Sequence, residues 1–166
     1  MWFRSKVHRR GERQRGVTLV ELACVSAVLL ILAGVAVPVS KTMVKRQKEL
    51  ELRQALRTIR EALDRFQFDT ERYPGIRQKY LNATNEEGYP EEIKLLYEGV
   101  ETGDAAGTRL KYLRRLPVDP MTGEREWGTR STRDRPDALF SDGINIFDVH
   151  SLSEKKALDG TYYKDW

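Results

Sequence analysis

Residues 13–40 read RQRGVTLVELACVSAVLLILAGVAVPVS, and this stretch decides how the rest of the chain is understood. From Val17 to Val39 runs a 23-residue segment interrupted only by Thr18, Glu21, Ser26, Gly34 and Pro38. As a helix it would be about 34 Å long, enough for a hydrocarbon core of about 30 Å. Pro38 removes a backbone donor and clashes one turn back, so a kink is predicted near the end of the run. Glu21 is the anomaly. A carboxylate in hydrocarbon costs about 2.5–3.5 kcal/mol on insertion scales, so a passive anchor would not carry one.

The flanks assign the charge. The 166-residue chain has a net charge of +4, 33% charged residues and a negative mean hydropathy of −0.59. Arg4, Lys6, Arg9, Arg10, Arg13 and Arg15 stand against Glu12 before the run, a balance of +5 that leaves −1 for the remainder. A high isoelectric point usually suggests nucleic acid. Here the excess sits beside the apolar run, where it favours a cytoplasmic location for that end. Lys41, Lys45, Arg46 and Lys48 follow the run and oppose this bias, although long downstream domains cross largely regardless of charge. No nucleic-acid partner is expected: Arg109, Lys111, Arg114 and Arg115 read as a solvated face near Glu98, Glu101 and Asp104.

Cys24 is the one cysteine and lies in the apolar run, so no intrachain disulfide can form, and the two histidines, His8 and His150, are far apart. A zinc site is not expected on those counts. The sequence contains no Gly-rich phosphate loop and no nucleophile elbow, and no enzymatic function is expected.

Beyond the run the helical period continues. Leu52, Leu56, Ile59, Leu63 and Phe66 recur at spacings of four and three, widened by Ala55 and Ala62, while Arg53, Arg57, Arg60, Glu61, Asp64 and Arg65 fall on the solvent side. One helix is predicted from about Val17 to Phe68, ending before DTERYPG, where Pro74 and Gly75 punctuate the chain. Pro90, Glu91 and Glu92 suit the start of a second helix, with Ile93, Leu95, Leu96 and Val100 as its apolar face. Gly103–Gly107 reads as a loop. Strands are expected around Glu126–Thr129 and over Ile144–Ser151, where Ile144, Ile146 and Val149 partly alternate. Trp127 and Phe147 are expected in the core, and Tyr162, Tyr163 and Trp166 are expected to pack the tail onto its own domain. The fold class is α+β: a long N-terminal helix, its first half transmembrane, packed on a small antiparallel sheet.

A secretory signal peptide would have a shorter apolar core followed by a small-residue cleavage site, and neither is present. An uncleaved anchor bearing a ligand-binding domain explains the length and the basic flank but not Gly16 or Glu21. RGVTLVEL resembles the processing motif of type IV prepilins and pseudopilins. The resemblance implies a basic leader, residues 1–16, cut by a prepilin peptidase between Gly16 and Val17. It places Glu21 fifth in the mature chain and Pro38 at a common helix-breaking position. Val17 departs from the usual phenylalanine or methionine at the first mature position, which bears on its N-methylation. The new amino group of Val17 could then pair with Glu21 of a neighbouring helix, or within one chain, where it also lies one turn away.

LRTIREALDRFQFDTERYPG, YLRRLPVDPMTGEREWG and IFDVHS…LDG look like segments of the major pseudopilins of type II secretion. That resemblance implies residues 17–40 as membrane and assembly helix and 41–166 as a periplasmic domain, with an amphipathic helix over 41–69. It also implies a homo-oligomeric inner-membrane-borne filament that works with minor pseudopilins and an assembly platform to drive export. A type IV pilus subunit for adhesion, motility or DNA uptake is the alternative within the wider family. Calcium is implied in the C-terminal loop, with Asp148 as the first ligand and Asp159 as the nearest counterpart of the second.

Overall fold

A proline decides where the long helix stops. In the computed structural model, which describes residues 16–135, 138 and 141–166, α1 runs from Leu19 to Arg72. Pro74 disfavours helical backbone at the residue before it, and Tyr73 is extended (φ −120°, ψ 94°). The helix therefore continues through Asp69–Arg72, past the end predicted at Phe68. Thr70 stabilises this last turn from a buried position, its hydroxyl donating to the Phe66 carbonyl at 2.9 Å. Pro74 then opens α2, Pro74–Tyr80, as its first residue. Residues 1–15 of the expected leader 1–16 lie outside the described residues, as do the side chains at 35–38, where the Pro38 kink is expected.

The chain divides into two compact units, Met1–Thr42 and Met43–Trp166. In the first, the described side chains from Gly16 through Thr42 are all exposed. The helix here is long and apolar enough to cross a membrane, with a mean hydropathy of 2.6 over its most apolar window. Exposure of Leu19, Val20, Leu22, Leu29, Leu30 and Ile31 would not be tolerated in water; a contiguous apolar surface of this kind needs lipid or another chain.

In the second unit the stripe read from the sequence is the core. Leu52, Ala55, Leu56, Ile59, Ala62, Leu63 and Phe66 are buried and cluster with Ile76, Leu96, Val100, Trp127, Ile146, Val149 and Tyr163. Instead of one sheet there are two among the described residues, each of two antiparallel strands. Strand β1, Val100–Glu101, pairs with β2, Arg109–Leu110; β3, Gly128–Arg130, pairs with β4, Asp148–His150. The β1–β2 hairpin closes over the expected glycine loop, where Asp104 accepts from the Thr108 amide at 2.8 Å and its hydroxyl at 2.7 Å. It packs so closely on α2 that a Cβ at Gly75 would lie 2.5 Å from the Thr102 carbonyl oxygen. Gly75 is thus required by close backbone approach rather than by a turn.

Two elements are shorter than predicted. The helix expected from Pro90 is only α3, Leu95–Glu98, because the Pro90 carbonyl and Glu91 carboxylate are engaged elsewhere, by the Ile146 amide and by Asn82. In the segment Ile144–Ser151 only Asp148–His150 is strand. Asn145 is buried and turns its amide to Thr132, which takes the preceding residues out of the ladder. Phe147, expected in the core, is 47% exposed and meets Tyr89 edge-on instead. Trp127 is buried as expected, its indole donating to the Pro117 carbonyl at 3.1 Å.

Candidate functional site

The N-terminal residues form a helix start with a defined cap. Gly16, Val17 and Thr18 precede α1, and the Thr18 hydroxyl accepts from the Glu21 amide at 3.2 Å. The Thr18 carbonyl accepts from the Leu22 amide at 3.0 Å. Thr18-Leu-Val-Glu21 therefore has the spacing of a capping box, in which a hydroxyl at the cap serves the amide three residues on. A carboxylate at that third position also complements the positive end of the helix dipole. The pattern of Thr followed three residues later by Glu was present in the sequence and was the overlooked sign of where the helix begins. Val17 is 70% exposed, and nothing approaches a Cβ placed on Gly16 within 4 Å. The folded chain itself makes no demand for glycine at this position.

The C-terminal residues named for calcium are held otherwise. Arg60 of α1 donates through Nε to Asp148 Oδ1 at 2.6 Å and through Nη2 to Asp148 Oδ2 at 3.2 Å. The Val149 amide also donates to Asp148 Oδ1, at 2.8 Å. Asp159 lies at an exposed turn, where the Thr161 hydroxyl and amide donate to its Oδ1 and hold its carboxyl below the usual range. Arg53 stands 4.0 Å from its other oxygen. Among the described residues no three His, Cys, Asp or Glu side chains converge as a metal-binding group. With its carboxylate gripped by a guanidinium, Asp148 does not fit a calcium ligand.

The contacts that secure this tail were not singled out from the sequence. Arg60, read as solvent-facing, also donates to the Val149 carbonyl at 3.2 Å and the Trp166 backbone oxygen at 3.0 Å. Buried Glu49 accepts from the Leu158 amide at 2.8 Å and from the Tyr163 hydroxyl at 2.9 Å. Burial, then this carboxylate, pushes the Tyr163 hydroxyl up to about 12. Buried Asp119 accepts from the Ser151 hydroxyl at 2.6 Å and from the Met121 amide at 2.7 Å, which ties the LPVDPMTG turn to the end of β4. Of the tail aromatics, Tyr163 is buried, Trp166 is half-buried against it, and Tyr162 stays 39% exposed.

His150 gives the domain a pH dependence. A side chain at Gly128, its strand partner, would run into the imidazole, so the ring lies across the glycine. Burial first, then Arg130, lowers its pKa from 6.5, with Asp148 and Asp165 opposing and Arg60 adding to the effect. The unfolded chain therefore binds this proton more tightly than the folded one. The resulting stability is present above 6.5 and is lost as pH falls from there toward the folded value. Between pH of about 7 and about 5 the wild-type melting temperature should fall more steeply than that of His150→Gln. Parallel slopes in calorimetric melts would remove His150 from this account.

Comparison with known proteins follows the same two regions. Residues 12–37 match the family model of the prokaryotic N-terminal methylation motif. Over 124 residues the chain is 34% identical to the type II secretion system core protein G of Pectobacterium carotovorum subsp. carotovorum, covering 72% of this chain and 65% of that protein. Over 118 residues it is 31% identical to the protein of the same name from Klebsiella michiganensis, covering 69% of this chain and 73% of that one. The chain thus spans just under two-thirds of the first relative's length. No solved structure matches it. Residues 12–37 hold the capped start of α1 and most of its apolar run, matches of 118 and 124 residues must extend well into the domain that follows, and the chain belongs to the type II secretion system core protein G family, the major pseudopilins.

Proposed function

We propose that this chain is a structural subunit of a type II secretion pseudopilus. Prepilin peptidase removes residues 1–16 at the inner membrane. Residues 17–40 anchor the mature chain, and the domain from residue 41 stands in the periplasm. Subunits then leave the bilayer and stack through their apolar helices into a helical filament, together with minor pseudopilins at an inner-membrane assembly platform. Growth of the filament drives folded proteins outward. The Val17 amino group freed by the cut is the site of N-methylation.

One observation carries this reading. The helix Leu19–Arg72 changes character along its length, its first part exposing every described side chain and its second part building the core of a folded domain. A bilayer can cover the first part, and so can the same part of other copies, which lets one surface serve both storage and assembly. The names of the relatives favour secretion over a retractable pilus. Mass spectrometry of the chain from membranes of its own host tests the proposal. A mature species beginning at Val17 is expected, and a population retaining the residues before it would contradict the reading.

A further inference from the structure

The tail of the domain is gathered around a positive charge supplied by α1. Arg60 presents two nitrogens to four oxygens: both oxygens of Asp148, the Val149 carbonyl and the Trp166 backbone oxygen. These acceptors come from strand β4 and from the segment beyond it. A set of carboxylate and carbonyl oxygens drawn from separate segments is what a hard cation such as calcium would collect. A guanidinium can do the same with a planar fork, and it keeps its charge at every physiological pH.

We propose that Arg60 is the cation that closes the C-terminal tail of this protein, so that the tail is held without calcium. Three further observations agree. Arg53 lies 4.4 Å from the Trp166 ring centroid, which adds a second positive charge on the same side of the tail. Arg130 donates to the Lys164 carbonyl at 3.1 Å, so a third arginine ends on this segment. Glu49 fixes the intervening residues through the Leu158 amide and the Tyr163 hydroxyl, with no oxygen of Asp159 needed for it. A divalent ion entering beside Asp148 would have to displace Arg60 and would face these neighbouring charges. Arg60 is thus a positioning residue for the tail, and the tail's order is set by the chain alone.

The inference does not depend on filament assembly, so its failure would leave the pseudopilin reading intact. The test uses the full chain in detergent micelles, followed by tryptophan fluorescence on heating and by tryptic cleavage at Lys155, Lys156 and Lys164. In the unmodified chain, millimolar calcium chloride and excess EDTA should give the same melting temperature within about 1 °C, and equal protection of the tail. A calcium site filled to on the order of 100 Kd would instead raise it by about 10 °C. Arg60→Met keeps the apolar stem and removes the fork; it should lower the melting temperature by about 4–10 °C and expose the tail to trypsin. A calcium-dependent rise in the unmodified chain would overturn the proposal. So would an Arg60→Met chain that melts and is cleaved like the parent. The calcium comparison needs no variant and decides the matter even if Arg60→Met does not fold.

Discussion

Gly16→Val is expected to leave the chain in membranes as the full-length precursor, with Gly16→Ala intermediate. The folded chain supplies no reason for a defect. A Cβ at Gly16 meets nothing within 4 Å, the residue lies outside the helix, and its backbone is not in the left-handed region. Any loss of maturation must therefore arise where the peptide lies against an enzyme. A peptidase that reads a residue without a side chain has little room beside the bond it cuts. A displacement of roughly 1 Å there can cost on the order of 10²-fold in rate. Precursor and mature chain differ by the leader and can be separated by mass, so the ratio in a short pulse reads the rate directly. Gly75→Ala is the matched control. Its Cβ would strike the Thr102 carbonyl and Gly103, which should destabilise the domain while leaving the cut untouched. Normal maturation of Gly16→Val would refute the processing site.

What could be read from the sequence follows the range of the interactions. The apolar stripe from Leu52 to Phe66 is a local periodicity, and it appears in the structure residue for residue as the core. The helix end was read too early because Asp69–Arg72 carry no apolar signal; the turn persists through the buried Thr70 and ends only at the residue before Pro74. The β1–β2 hairpin has two residues in each strand, too few for any alternation to show. Asn145 defeats the strand prediction at Ile144 because its amide is used by a loop 13 residues away. The tail contacts were the least legible. Arg60 sits among charged residues on a helix face that pattern alone assigns to solvent, and its acceptors are 88 to 106 residues distant. Glu49 likewise meets Leu158 and Tyr163 across 109 and 114 residues. No local rule marks a charged residue whose partners are brought to it only by the fold. At the other end of the chain, Thr18 and Glu21 form a short-range pair whose spacing is legible in the sequence.

Glu21 now has two physical roles to separate. It stands at the third position of a capping-box spacing headed by Thr18, whose hydroxyl accepts from its backbone amide, and in the proposed filament its carboxylate would meet the amino group of a neighbouring Val17. Glu21→Gln keeps a side chain suited to the capping box and removes the charge; Glu21→Leu removes both. Both variants should insert in the membrane at least as well as the parent, since each replaces a group that lipid solvates poorly. Both should be cut after Gly16, since the glycine and basic leader are unchanged. The Thr18 hydroxyl still accepts from the amide of residue 21 in either variant, so the helix loses only a carboxylate near its positive end, about 0.3–1 kcal/mol and a modest fraying of a helix of 54 residues. Loss of a charge partner between stacked copies is a larger effect, because it leaves the Val17 amino group buried and unpaired, at about 3–5 kcal/mol for each contact, and a filament repeats that contact at every subunit. Filaments should therefore be reduced by more than about 100-fold in both variants, with Gln as defective as Leu. Electron microscopy of sheared or overproduced filaments, scored beside processing and membrane insertion, reads the outcome. If Glu21→Gln assembles like the parent while Glu21→Leu does not, the glutamate acts on its own helix and the pairing between subunits is wrong. If both assemble normally, the carboxylate has no part in assembly, and only its capping geometry remains to explain why a charge stands in an apolar run.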